Sequence, residues 1–214
     1  MTTLVTHSFC KYLTSTGNWR DQDYRARIVV KSVKGDDFKG YWDRKIGDKI
    51  VRLDENNKEV TADLAASFMA ARLKDLVNCS VTLVPIPNSN ACVGGPRDFR
   101  TRLFADAIAK HAGDRVAVKS ACLWKKPKEQ QHKTDGYRHA SQFIPLLEMV
   151  YKPKRPVILI DDMITSGSQM LACTYILRAA GVDVRFGMAV GRQTTEQEDG
   201  VLKWDEKEIS QLIL

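Results

Sequence analysis

The sequence predicts an α/β domain in which a parallel sheet is covered by helices on both faces, with a smaller subdomain ahead of it. Three observations carry this. The apolar runs SVTLVPIP (residues 80–87), VILID (157–161) and VRFGMAV (184–190) read as strands buried on both faces. Segments of helical periodicity lie between them, and strands alternating with helices make parallel sheets. Gly and Pro punctuate the joins, as at Pro85, Pro87 and Gly181.

Along the chain, residues 27–33 (RIVVKSV) and 49–53 (KIVRL) are rich in β-branched side chains and read as strands. They lie in a polar region dotted with aromatics, and residues 1–60 are expected to form an appended, hood-like subdomain. A helix then opens at Thr61, a plausible N-cap, with Leu64, Phe68, Met69, Leu73 and Leu76 at helical spacing. The strand at 80–87 follows. A second helix carries Phe99, Leu103, Phe104, Ala107, Ile108 and His111 on one stripe. A short strand near 115–118 leads into a long polar segment, 124–142. The strand 157–161, a helix over 169–180 and the strand 184–190 complete a core spanning 61–192. Residues 193–214 are read as a tail that joins the hood.

The bulk properties set limits. A chain of 214 residues with 43% apolar and 28% charged side chains is ordinary for a globular domain. No run approaches the roughly 18 apolar residues of a membrane span, and the first residues lack the pattern of a secretory signal. A cytoplasmic location is expected. The five cysteines are scattered without a C-x-x-C pair, which argues for free thiols over disulfides or zinc. The net charge of +7 favours polyanionic partners, nucleic acid or phosphorylated metabolites, and equally suits a solvated surface; charge alone does not choose among them.

The stretch VILIDDMITSGSQM (157–170) carries the chemistry. Its apolar run ends in two adjacent carboxylates, Asp161 and Asp162, followed by Met163, Ile164 and a turn of Thr165, Ser166, Gly167 and Ser168 at a helix start. Backbone N–H groups at a helix N-terminus favour an anion, the hydroxyls add donors, and Gly167 permits positive φ. A phosphomonoester suits that cradle. Two carboxylates beside it call for hydroxyl donors, and a ribose diol one ring away from a 5-phosphate supplies them. A solvated strand–loop–helix connection is the plain alternative. No G-x-x-x-x-G-K-[ST] or G-x-G-x-x-G accompanies the stretch.

Four hydrophobic residues, two acids, a short spacer and a Ser/Thr-Gly-Ser/Thr turn resemble the signature of the type I phosphoribosyltransferases, which bind 5-phosphoribosyl 1-diphosphate (PRPP). The resemblance implies the family's Rossmann-like fold and PRPP binding by Ile160, Asp161, Asp162, Met163, Ile164, Thr165, Ser166, Gly167 and Ser168. It also implies a diphosphate loop after the earlier strand. Pro87, Asn88, Ser89 and Arg97 are the candidates, with Arg100 and Arg102 nearby. A long loop that closes over the site is expected at 124–142, where Lys126, Lys133 and Arg138 would bring positive charge to the reaction. Mg²⁺ is the implied cofactor, reached by Asp161 and Asp162 through ribose or water. Within the family the chain looks most like the ComF-type, competence-associated branch: VPIP matches its strand, and Gln131, Arg138 and Phe143 match a later segment. The asparagine of that segment and the branch's four-cysteine module are missing here.

The activity so implied is transfer of the 5-phosphoribosyl group from Mg-PRPP to a nitrogen acceptor, a nucleobase or related compound, with release of diphosphate. The acceptor's hood is sought among Trp19, Tyr24, Tyr41, Trp42 and Trp204, which equally suit a local core. A homodimer is the family expectation. The competing reading is a PRPP-binding sensor or nucleic-acid-associated accessory protein without catalysis.

Overall fold

In the computed structural model of the protein, which describes residues 1–15, 17–127 and 139–213, the chain begins with a strand, β1 (Thr2–Leu13). Helix α1 (Asp21–Lys34) follows, so residues 27–33 are helical where the sequence suggests a strand. The reason is packing. Ala26, Val29, Val30 and Val33 fall at i, i+3, i+4 and i+7 and bury one stripe in the core, which overrides the β preference of valine and isoleucine. Gly35, at φ 70°, caps this helix and donates its N–H to Ser32 O at 3.1 Å. Strands β2 (Trp42–Ile46) and β3 (Lys49–Leu53) form a separate antiparallel hairpin, with β3 where the sequence places it.

Helix α2 (Lys58–Leu76) starts before Thr61, which lies buried within it and does not serve as its cap. Next come β4 (Val81–Pro85), α3 (Arg100–Ala112), β5 (Val116–Val118) and β6 (Cys122–Trp124). A short helix α4 (Ala140–Phe143) precedes β7 (Leu147–Met149), which pairs with β6 in a two-stranded ladder. The final elements are β8 (Val157–Ile164), α5 (Ser168–Ala179), β9 (Val184–Thr194) and β10 (Asp205–Gln211).

Six strands form one sheet in the order β10-β1-β9-β8-β4-β5. The pairs from β1 through β5 are parallel, and β10 runs antiparallel along the outer edge of β1. Helices α1, α2 and α3 pack on one face, around Val30, Met69, Ile108, Ile158, Ile160 and Met188. Helix α5, α4 and the β6–β7 ladder cover the other, around Trp124, Phe143, Leu159, Leu171 and Leu177. The fold is therefore α/β with helices on both faces of a mostly parallel sheet.

The boundary expected at residue 60 does not fall at a break in this structure. β1 sits inside the sheet between β9 and β10, and α1 is part of the main core. The tail at 193–214 likewise supplies the sheet's antiparallel edge. Both segments are too polar to announce themselves as strands, because β1 buries the polar run Thr6, His7 and Ser8 at its centre and β10 is largely exposed to solvent. Among the described residues all five cysteines are free, and no helix is long and apolar enough to cross a membrane.

Candidate functional site

From β4 the chain moves outward to β5 on one side, then returns to β8 and proceeds outward to β9 on the other. Strand order thus reverses between β4 and β8. In open α/β sheets the crevice beyond the carboxyl ends of the strands at such a point is where ligands bind. The two strands are paired as far as Pro85 and Ile160, and Ile86 N–H still donates to Ile160 O at 2.8 Å. Beyond that Pro87 carries the β4 segment away, while β8 continues to Ile164 paired with β9 alone. A cleft of about 1140 Å³ opens there, with Pro87, Asn88 and Ser89 on one side and Asp161, Asp162 and Met163 on the other. The C-terminal end of α1, with Lys34 and Asp36, and the facing flanks of α2 and α3 close it.

Adjacent residues of a strand ordinarily point to opposite faces. Here both acids line the cleft, because the alternation shifts phase across them. Ile158 and Ile160 pack into the α1–α3 layer and Leu159 into the α5 layer, whereas Met163 joins the first and Ile164 the second. The Asp162 N–H is turned onto Asp161 Oδ1 at 2.8 Å. Asp162 is buried and forms an ion pair with Arg100, the first residue of α3. Burial and the neighbouring Asp162 charge push the Asp161 carboxyl well above the usual carboxylate range, against the opposing pull of the Asp162 N–H, Arg100 and Lys34.

Past the acids, Gly167 takes φ 71° as the N-cap of α5. The turn and the first residues of α5 enclose a small recess of about 50 Å³ lined by Thr165, Ser166, Gly167, Ser168 and Gln169, with Ile164 and Phe143 behind. The recess and the large cleft share Asp161, Met163, Thr165 and Gln169. One ligand can therefore extend from the recess into the cleft past Asp161. Ser166 and Ser168 hydroxyls lie 2.9 Å apart at its rim. The recess has the donor chemistry of an anion site: exposed serine and threonine hydroxyls at the positive end of a twelve-residue helix.

Across the cleft, Thr101 Oγ1 is 3.0 Å from Asn88 Oδ1 and donates to Ile86 O, tying the segment after β4 to the start of α3. Arg100 lines the cleft, but Arg97 does not, and Arg102 is spent on Asp106 at 2.8 Å and Ser120 at 3.3 Å. Ile160 forms the buried floor without reaching either space. Lys126 is exposed and lies outside the residues that line the cleft. Lys133, Arg138 and Gln131 lie outside the described residues.

The aromatics sought as a hood do not line the cleft. Trp42 carries the Arg25 and Arg44 guanidiniums at 5.5 and 5.0 Å, Arg52 stacks on Tyr41 at 4.1 Å, and Trp19 packs beside Tyr24. Trp204 lies against Phe9 and Arg72. These are packing roles. In their place the structure brings Lys34, Asp36, Glu59, Asp63 and Gln169 to the cleft. The helical spacing of Ala26, Val29, Val30 and Val33, followed by Gly35, was the signal in the sequence for the α1 contribution.

Mg²⁺ prefers oxygen ligands and is commonly held by one or two carboxylates together with substrate phosphates. Asp161 and Asp162 fit that habit, and no group of three or more acidic, His or Cys side chains among the described residues forms a complete protein cage.

No family model matches the chain, and no curated protein matches it. Among solved structures it is similar to a hypoxanthine phosphoribosyltransferase from Staphylococcus aureus, with TM-score 0.37 and 10% identity over 64% of this chain and 68% of that one. It is also similar to the UMP synthase of Leishmania donovani, with TM-score 0.38 and 13% identity over 81% of this chain but only 37% of the synthase. The orotate phosphoribosyltransferase of Mycobacterium tuberculosis H37Rv, in complex with Fe(III) dicitrate, has TM-score 0.36 and 12% identity over 78% and 95% of the two chains.

Proposed function

We propose that the crevice between β4 and β8 binds PRPP and that the chain transfers its 5-phosphoribosyl group to a nitrogen acceptor, releasing diphosphate. The observation that carries the proposal is the continuity of the two spaces at Asp161. An anion recess opens directly onto a carboxylate pair, and a 5-phosphorylated ribose has the matching order of groups. In this reading residues 165–168 hold the 5-phosphate, and Asp161 with Asp162 accepts hydrogen bonds from the ribose hydroxyls. Pro87, Asn88, Ser89 and Arg100 face the diphosphate. Lys126, Lys133 and Arg138 are the further cations assigned to the leaving group from sequence. The acceptor occupies the α1–α2 side of the cleft.

The chemistry is a displacement at C1. The nitrogen lone pair forms the N–C1 bond as the C1–O bond breaks; the electron pair of the C1–O bond leaves with diphosphate, and the proton of the acceptor's N–H is released to solvent. The positive charge that develops on the ribose lies next to Asp161 and Asp162, and fixed carboxylates there lower its energy without reorganising. Anchoring the 5-phosphate supplies binding energy remote from the bond being broken and fixes the attack geometry. Mg²⁺, bound with the substrate phosphates at these acids, would neutralise the departing diphosphate. The ComF-type branch belongs to the same proposal, since VPIP leads into the crevice wall at Pro87.

The test is incubation with Mg-PRPP and a panel of nitrogen acceptors, reading diphosphate release alongside PRPP binding by calorimetry. Release with one acceptor supports the transferase. Binding without release under any acceptor supports a PRPP sensor. Absence of binding refutes both.

A further inference from the structure

We propose that Arg100 is a specificity-determining residue that makes sugar binding conditional on a diphosphate. It occupies Asp162 in the ligand-free protein and leaves when a second anion in the crevice takes it. This deepens the site reading above and rests on it. That reading gives Asp162 to a ribose hydroxyl and Arg100 to the diphosphate, whereas in the structure the two are paired with each other. Asp162 Oδ2 is sealed from solvent, and among the described residues no hydrogen bond reaches it. The Arg100 guanidinium lies against that oxygen through Nη2, a contact of charge. A ribose hydroxyl can use Oδ2 only after Arg100 has moved off.

Arg100 is the partner built to move. Its side chain is 39% exposed against 7% for Asp162, so the acid is fixed and the arginine has room to swing. As the first residue of α3 it can do so about its own side-chain torsions, with the helix in place. That helix end is also short of negative charge. Its first turn holds no acid and no side chain caps it, so a cation there opposes the helix dipole. Thr101 ties the same end to Asn88, where the diphosphate is placed. A diphosphate in that position meets both the helix end and the guanidinium, and forked hydrogen bonds to phosphate oxygens outcompete a contact that lacks hydrogen-bond geometry. PRPP thus brings the group that releases Asp162. A sugar monophosphate must displace Arg100 with nothing to offer in exchange.

The experiment is titration of PRPP and of ribose 5-phosphate, each with Mg²⁺, into wild type, Arg100→Met and Arg100→Ala, with melting temperatures recorded without ligand. In Arg100→Met, PRPP should bind on the order of tenfold more weakly, because a charge-assisted contact to the diphosphate is gone. Ribose 5-phosphate should bind on the order of three- to tenfold more tightly, because Asp162 is no longer covered. The opposite signs are the signature. A purely structural role, or a general attraction for anions, lowers both affinities. A contact to the diphosphate alone lowers PRPP affinity and leaves ribose 5-phosphate unchanged. Either pattern overturns the inference. If Arg100→Met does not fold, Arg100→Ala must show the same crossing. A wild type that binds ribose 5-phosphate as tightly as PRPP overturns the inference while leaving the site reading in place. A wild type that binds neither refutes the site reading first, and this inference with it.

Discussion

Gly167 offers the sharpest test of how the recess is built. Its φ of 71° lies in the left-handed region, and an added Cβ would sit 2.6 Å from Ile209 Cδ1 on β10. Gly167→Ala thus carries two separable costs. Holding alanine in the left-handed conformation costs about 1–2 kcal/mol. The clash is with the far end of a flexible side chain, so Ile209 can rotate away at about 0.5–1.5 kcal/mol. Together these predict a loss of about 1.5–3.5 kcal/mol, or a fall in melting temperature of roughly 3–14 °C for a chain of this size. Ile209→Val removes Cδ1 itself, and because Ile209 is half-buried it should cost about 0.5–1 kcal/mol alone. In the double variant the clash disappears while the backbone cost stays, so the double loss should fall about 1 kcal/mol short of the sum. Urea unfolding of the four proteins at one temperature measures the cycle. Losses that add to within about 0.5 kcal/mol would show that Ile209 does not confine the turn. A neutral Gly167→Ala would show that the left-handed cap is not formed.

Three further outcomes follow from the charges. Burial beside Asp162 raises the Asp161 carboxyl, so its ionised form destabilises the ligand-free protein as pH rises through the raised value. Asp161→Asn should therefore melt higher than wild type at pH 7 while losing affinity for PRPP, and a lower melting temperature contradicts the electrostatics. Arg100→Ala leaves the buried Asp162 carboxylate without its partner; with Arg100 partly solvated, the loss should be about 1–2 kcal/mol by urea unfolding, and Asp162→Asn should relieve part of it. His7 is buried against Phe186, and desolvation lowers its pKa from 6.5, with Arg72 adding to and Glu206 3.6 Å away opposing the shift. Its neutral form is favoured in the fold, so stability falls as pH drops below 6.5; melting curves between pH 7 and 5 should be flatter in His7→Gln.

The central strands were legible in the sequence because burial on both faces leaves continuous apolar runs, as in β4 and at the start of β8. The carboxylates and the turn at 165–168 were legible as local chemistry. Three things were not. Residues 27–33 satisfy both a β-branched run and a helical stripe, and only the core they meet decides between them. β1 and β10 are joined to each other across almost the entire chain, Thr2 opposite Gln211, and pairing at that separation leaves no local trace. The arginine of the cleft is Arg100 and not Arg97, because that choice depends on where α3 begins.

The long-range pairing also changes what the proposed phosphate recess is made of. Its front is a contiguous motif, but its back is β10, through Ile209 behind Gly167 and Gln211 behind Ser168. β10 in turn is held by β1, and Gln211 also grips the start of α4 through Ala140. A recess closed this way depends on docking of the chain's last strand, so anything that binds it tightly must also stabilise that docking. The free energy of holding an anion is then shared between residues adjacent in sequence and a strand some forty residues downstream, and substitutions on β10 that touch no ligand should still weaken binding.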